Sequence, residues 1–218
     1  MIEWQILVEP AGRPGAENMA RDEALLTAAA RTCGAFLRLY RFDPPCLSLG
    51  RNEPTVERGG IATVRRPTGG RAVWHEHEVT YAVAAPIVAF GRLRDAYRAI
   101  HGRLAAALES LGADVTLAGD RPTIRLSDQP TACFAATVGG EVLAGGRKVI
   151  GSAQVRRGAA FLQHGSILLD GPQEMLNATT LRQVLRRPVT FEEVTAAIVA
   201  AWGEPLVGPA RLALLAPR

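Results

Sequence analysis

Between Ile2 and Leu169 the chain reads as strand again and again, without a helix between each strand and the next. The runs IEWQILVEP, AFLRLYRF, CLSLG, TVRRP and AVWHEHEVTYAVA are rich in β-branched and aromatic residues or alternate apolar with polar positions, as do ADVTLA, ACFAATV, RKVIGSAQVRR and AAFLQHGSILL. Two long helical patterns interrupt them. One is NMARDEALLTAAAR, with Asn18 as its expected N-cap; the other runs from Arg92 to Leu111 and stops at Gly112 in the C′ position. The remaining helical runs, PQEML, TLRQVL and FEEVTAAIVAAW, gather in the last third, before a tail, GEPLVGPARLALLAPR, that reads as a loosely packed end. A parallel sheet needs a crossover, usually helical, between successive strands, and this order has no regular alternation of that kind. The pattern predicts an α+β fold: a mixed, largely antiparallel sheet packed by helices.

The length of 218 residues suits one domain over 1–218 with a full hydrophobic core. The opening MIEWQILVEP carries Glu3 and lacks the basic and apolar regions of a signal peptide. TYAVAAPIVAF, the most apolar stretch, is too short to span a bilayer and contains Pro86. A cytoplasmic protein without a membrane partner is expected. The three cysteines, Cys33, Cys46 and Cys133, lack metal-ligand spacing and fit reduced thiols, with Cys33 and Cys46 read as inert core residues. The net charge is +4, with arginines paired at 65–66, 156–157 and 186–187. No helix-turn-helix, zinc finger or aromatic RNA-binding motif accompanies that charge, so no nucleic-acid partner is expected.

Four segments can carry chemistry. In RRPTGGRAVWH, Gly69 and Gly70 let backbone approach a ligand, and Arg66, Thr68, Arg71 and His75 flank the turn. It is either a ligand cradle or a plain hairpin turn. In HEHE, a continuous strand places His75 and His77 on one face and Glu76 and Glu78 on the other; without a third ligand no metal site is expected. In GSAQVRRGAAFLQHGSILLD, Gly151, Ser152 and Ala153 are small enough to pass under a ligand, and His164 with Gly165 sets a polar group into an apolar run. The fourth segment pairs Cys133 with Lys148, the sole lysine among 25 basic residues. The glycine-rich VGGEVLAGG can fold the second strand back beside the first. An ammonium there stabilises a thiolate; a lysine can also serve as a base in a dry pocket or grip one carbonyl oxygen, and an arginine cannot give up its proton to act as such a base.

Together the segments NMARDEALL, PPCLSLGRNEP, RRPTGGRAVWHEHEVTYAV, ACF, GRKVIGSAQ and QHGSILLD, in that order from Asn18 to Asp170, resemble the biotin/lipoate protein ligase family. The resemblance implies a catalytic fold like that of class II aminoacyl-tRNA synthetases and biotin ligase, in which a sheet carries the acyl pocket and helices cover its back. It is closest to the octanoyltransferases built on the ligase scaffold. TGGR stands where ligases have a third glycine, HEHEVTYAV where ligases continue His-Asp-x-Gly-Asn, and ACF precedes the GRKVIGSAQ lysine as nucleophile precedes activating lysine. One departure is AATVGGEVLAGG, where those transferases often show a Pro-Ser-Trp-Tyr-Glu-like run.

The resemblance implies octanoyl-acyl carrier protein as donor and a lipoyl-domain lysine as acceptor, such as that of the glycine cleavage H protein or the acyltransferase component of a 2-oxoacid dehydrogenase. It implies Cys133 and Lys148 as the catalytic pair, and Arg66, Thr68, Gly69, Gly70, Arg71, His75, Gly151, Ser152, Ala153, His164 and Gly165 as the residues that shape the substrate site. No cofactor and no C-terminal accessory domain are expected. The alternative is a lipoate–protein ligase that uses ATP and Mg and acts through lipoyl-adenylate.

Overall fold

The run EVTYAVAAP, from Glu78 to Pro86, is buried at every position, and the fold is arranged around it. The computed structural model describes residues 3–54, 60–119, 139–171 and 178–203. The described elements are β1 (Trp4–Val8), α1 (Gly15–Thr32), β2 (Ala35–Tyr40), β3 (Cys46–Leu49), β4 (Thr63–Arg65), β5 (Val73–His75), β6 (Glu78–Pro86), α2 (Leu93–Ser110), β7 (Thr116–Leu117), β8 (Val142–Ala144), β9 (Arg147–Lys148), β10 (Ile150–Arg157), β11 (Ala160–Leu168), α3 (Leu181–Leu185) and α4 (Phe191–Trp202), with a 3₁₀ turn at Ile87–Ala89. The main sheet has the order β1-β2-β6-β11-β10. Its β1–β2 pair is parallel and the other three pairs are antiparallel. Two three-stranded sheets, β4-β3-β5 and β7-β8-β9, flank it. This is the α+β class expected from the order of patterns.

Alternation along β6 sorts its side chains to two cores. Val79, Tyr81, Val83 and Ala85 join Leu37, Leu39 and Phe161 against Ile100, Leu104 and Leu108 of α2 and Val194 and Ile198 of α4. Ala82 and Ala84 join Phe36 and Leu162 against Leu25, Leu26 and Ala29 of α1. Helices therefore cover both faces of the sheet rather than the back alone. Small residues at 82 and 84 leave room for α1 to lie close.

Three local readings change. AVWHEHEVTYAVA is not one strand: the chain bends at Glu76-His77, so β5 joins a small sheet and β6 the main one. The bend resets the alternation. His75 turns inward onto Glu78, while the His77 side chain stays 55% exposed beside Glu76. RKVIGSAQVRR likewise divides at Val149 into β9 and β10. Asn18 is not a cap, because α1 begins at Gly15 after Pro14, and the Asn18 N–H already donates to the Pro14 carbonyl. Its side chain instead ties the helix to the chain at both ends of that region, donating to the Arg13 and Arg41 carbonyls at 3.1 Å each. Pro172–Asn177, the expected helical run at PQEML, and the tail from residue 204 lie outside the described residues, as does the expected strand at ACFAATV.

Candidate active site

The PTGGR turn is not a hairpin. β3 lies between β4 and β5, parallel to the first and antiparallel to the second, and the turn runs past its end. Gly50, next after β3, makes that passage possible: a Cβ there would sit 1.8 Å from the Gly70 carbonyl oxygen. Gly70 itself takes φ +89, open to glycine at little cost. Arg66, buried, holds the turn in place. Its guanidinium donates to the Gly69 carbonyl at 2.9 Å, to the Arg71 carbonyl, and to the Ser48 carbonyl and hydroxyl at 2.9 and 3.1 Å. Arg71 has an exposed side chain.

Beside the turn, α1, β2, β3, β5, β6, β10 and β11 enclose a pocket of about 380 Å³ of empty space, partly open to solvent. Arg66, His75, Gly151, Ser152, Ala153, His164 and Gly165 line it, as do Met19, Tyr40, Phe42, Ser48, Val73, Thr80 and Ser166, which the sequence did not single out. Gly165 is fixed by packing, since a Cβ would meet the Gly151 carbonyl at 2.2 Å and Ser152 Oγ at 2.5 Å. Thr68, Gly69, Gly70 and Arg71 stand behind the lining as parts of the turn.

The pocket's polar groups are largely spent on one another, in two chains of the same form. In the first, Thr68 Oγ1 lies 2.7 Å from His164 Nε2, and His164 Nδ1 lies 2.9 Å from Asp22 Oδ2. Asp22 also accepts from Tyr40 at 2.8 Å and from Arg38 at 2.9 Å. Arg38 is fully buried in the middle of β2 and also binds Glu9 and Asn18. In the second, Ser48 Oγ lies 2.7 Å from His75 Nε2, and His75 Nδ1 lies 2.5 Å from Glu78 Oε1, which also accepts from Thr80. The His75 ring stacks on Phe42 with centroids 4.1 Å apart. Arg38 was the available signal for the first chain: an arginine amid AFLRLY must bring a carboxylate with it. Nothing local signalled the second, since Glu78 meets His75 only because the strand breaks.

Lys148 lies elsewhere, buried on β9, with Nζ 2.7 Å from Glu141 Oε1. Its strand folds back on β8, placing Lys148 opposite Leu143, through a turn at Gly145 and Gly146 with φ +54 and +75. The hairpin is thus contained within VLAGGRK. Cys133 lies outside the described residues. Near Lys148 a third buried histidine, His101, closes a chain that the sequence reading missed. His101 Nδ1 donates to the Gly140 carbonyl at 2.7 Å, leaving Nε2 to accept from Ser152 Oγ at 2.8 Å. Tyr81 donates to Ser152 at 2.6 Å and accepts from Gln163 at 2.8 Å. Burial, aided by the Lys148 charge and opposed by the Gly140 bond, depresses the His101 pKa to about 4, so the ring is neutral near pH 7. Cys46 is buried against Gly15 and burial pushes its thiol pKa up, with Glu78 adding to the rise. Cys33 is not a core residue but an exposed one, at the left-handed end of α1 with φ 56. Among the described residues no group of three or more His, Cys, Asp or Glu side chains could hold a metal ion, and no helix is long and apolar enough to cross a membrane.

The Lipoyl protein ligase A/B catalytic domain matches residues 14–180. The chain belongs to that family. It is 38% identical to Octanoyltransferase LipM of Symbiobacterium thermophilum, over 93% of this chain and 86% of that protein. It is 40% identical to Octanoyltransferase LipM of Moorella thermoacetica, over 85% of this chain and 70% of that one. A crystal structure of lipoate-protein ligase A bound with ATP superposes with a TM-score of 0.73 at 20% identity, covering 98% of this chain and 93% of the other, and so shares the fold. With relatives of this kind over most of its length, this family member is an acyltransferase.

Proposed function

We propose that the protein transfers an octanoyl group from octanoyl-acyl carrier protein to the lysine of a lipoyl domain, through a thioester on Cys133. What carries the reading is that the curated relatives at 38 and 40% identity are octanoyltransferases. In the proposed reaction the Cys133 thiolate attacks the donor thioester carbonyl and the carrier thiol leaves. The acceptor amine then attacks the acyl-cysteine, and the thiol is regenerated as an amide forms. Thioester exchange is close to isoergic and amide formation drives the sequence, so no ATP is needed. Lys148, kept buried beside Glu141, is the group proposed to stabilise the thiolate, which is a task for a compact ammonium. Backbone N–H groups of Gly69-Gly70, or of Gly151-Ser152 on the sheet's edge strand β10, are proposed to receive the developing oxyanion.

The pocket supports an acyl substrate. Its hydroxyls and imidazoles bind one another, so the surface they leave for a ligand is mostly carbon, and each buried CH₂ of an acyl chain contributes about 0.8 kcal/mol. Intact-mass analysis after mixing with octanoyl-acyl carrier protein, without ATP, tests the reading. A hydroxylamine-labile octanoyl adduct is expected on the wild type and on Cys33→Ala and Cys46→Ala, and none on Cys133→Ala. Modification of a lipoyl domain only when lipoate and ATP are added would overturn it in favour of the ligase.

A further inference from the structure

We propose that His75, paired with Glu78, is the base that takes the proton from the acceptor lysine; this rests on the transferase reading above. Both pocket histidines have a hydroxyl at Nε2 and a carboxylate at Nδ1, so geometry alone does not separate them. The carboxylates do. Asp22 is fully buried with Arg38 at 2.9 Å, and Glu9, the second carboxylate on that guanidinium, is itself paired with Arg13 and Arg21, so a proton on His164 would add positive charge beside a carboxylate that already has its cation. Glu78 is 4% exposed and forms no ion pair with Lys or Arg among the described residues, and its Oε2 has no hydrogen-bond partner. The basic group touching it is His75. A proton arriving on His75 therefore makes a neutral pair out of a negative one, in a buried site where that difference is largest.

The reaction supplies such a proton. A lysine side chain reaches the site as an ammonium, since its ordinary pKa is about 10.4, and it must lose two protons in becoming an amide. One passes through the Ser48 hydroxyl to His75 Nε2 as the nitrogen lone pair is freed, and from there to solvent. The nitrogen then bonds to the thioester carbonyl carbon, the C–S bond breaks with its electron pair on sulfur, and the second proton ends on the cysteine thiol. Arg66, which donates to Ser48 Oγ at 3.1 Å, leaves that hydroxyl its own proton to give to His75. Ser166 Oγ, at 3.4 Å from Nδ1, and the Phe42 face complete the ring's surroundings.

The test separates acceptors. His75→Gln is loaded with octanoate from the carrier protein and its thioester is discharged to a lipoyl domain or to hydroxylamine, whose amine is neutral near pH 7. The ratio of the two discharge rates, lipoyl domain over hydroxylamine, is expected to fall on the order of 100-fold, whatever the substitution does to the pocket that both reactions share. Glu78→Gln, which keeps the shape and removes the charge, should show the same split by a smaller factor. A pocket role alone would slow both acceptors together, and that result overturns the proposal. So does unimpaired transfer to the lipoyl domain by a normally loaded His75→Gln. Absence of any thioester on the wild type would instead overturn the transferase reading, and the role of His75 with it.

Discussion

The chains Thr68–His164–Asp22 and Ser48–His75–Glu78 stand in the wall of one pocket, alike in atoms and in spacing, and differ in what the carboxylate meets next. Asp22 meets Arg38, which is held in turn by Glu9 and Asn18; Glu9 also binds Arg13 and Arg21 toward the surface. With Glu17, which binds both Arg13 and Arg21, three carboxylates meet three arginines, and the network ties α1 and β2 to the segment that follows β1. Its physical role is to fix α1 and the glycine turn against the sheet. Among the described residues Glu78 meets only hydrogen-bond donors, His75 and Thr80. The same triad of groups is a fastening in one place and a proton sink in the other, because a buried carboxylate is defined by its counter-charge.

The largest effect should come from erasing the difference. Arg38→Met leaves Asp22 buried without its cation, and a loss of about 3–5 kcal/mol of stability is expected in denaturant unfolding. A loss below about 1 kcal/mol would mean that the network is not the fastening described. In the surviving fold His164 then faces an unmatched carboxylate, as His75 does.

His101, which bonds no carboxylate among the described residues, provides the reference. His101 has a folded pKa of about 4 against 6.5 for an unperturbed histidine, so between those values the unfolded chain binds more protons than the folded one. Its contribution is therefore complete above pH 6.5 and is lost as pH falls toward about 4. The loss amounts to something on the order of 3 kcal/mol. Unfolding free energies measured across that window should fall with acid in the wild type and fall less steeply in His101→Gln. Parallel curves would show that His101 does not reside buried and neutral.

The smallest effect on stability should come from Glu78→Gln, at about 1 kcal/mol or less, because removing an unmatched buried charge offsets the weaker hydrogen bonds that remain. Its acyl transfer should nevertheless fall. A stability loss as large as that of Arg38→Met would place Glu78 in the same class as Asp22 and remove the contrast.

Much of the site was legible as a set and little of it as a geometry. The glycine turn, the QHGS strand and the GSA strand were marked by residue types that suit close approach, and His75, His164, Arg66 and Gly151 to Ala153 do line one pocket. Asp22, Glu78, Ser48 and His101 were not marked. Asp22 lies 142 residues from His164, and Thr68 lies 96 residues from it, so no local pattern could pair them. Glu78 was assigned to the face opposite His75 by a period-two reading that the bend at Glu76-His77 cancels.

By itself the sequence determined the α+β class, the two long helices that became α1 and α2, and the identity of the chain's one lysine, because periodicity and residue type act within an element. Tertiary structure decided which carboxylate has a cation. That outcome depends on register, with β11 set between β6 and β10 so that His164 stands opposite Ala82 and Ala153, and on Arg38 emerging from β2 under α1. Register is fixed by burying whole faces at once, and electrostatic pairing follows from it over distances in sequence that no local pattern spans.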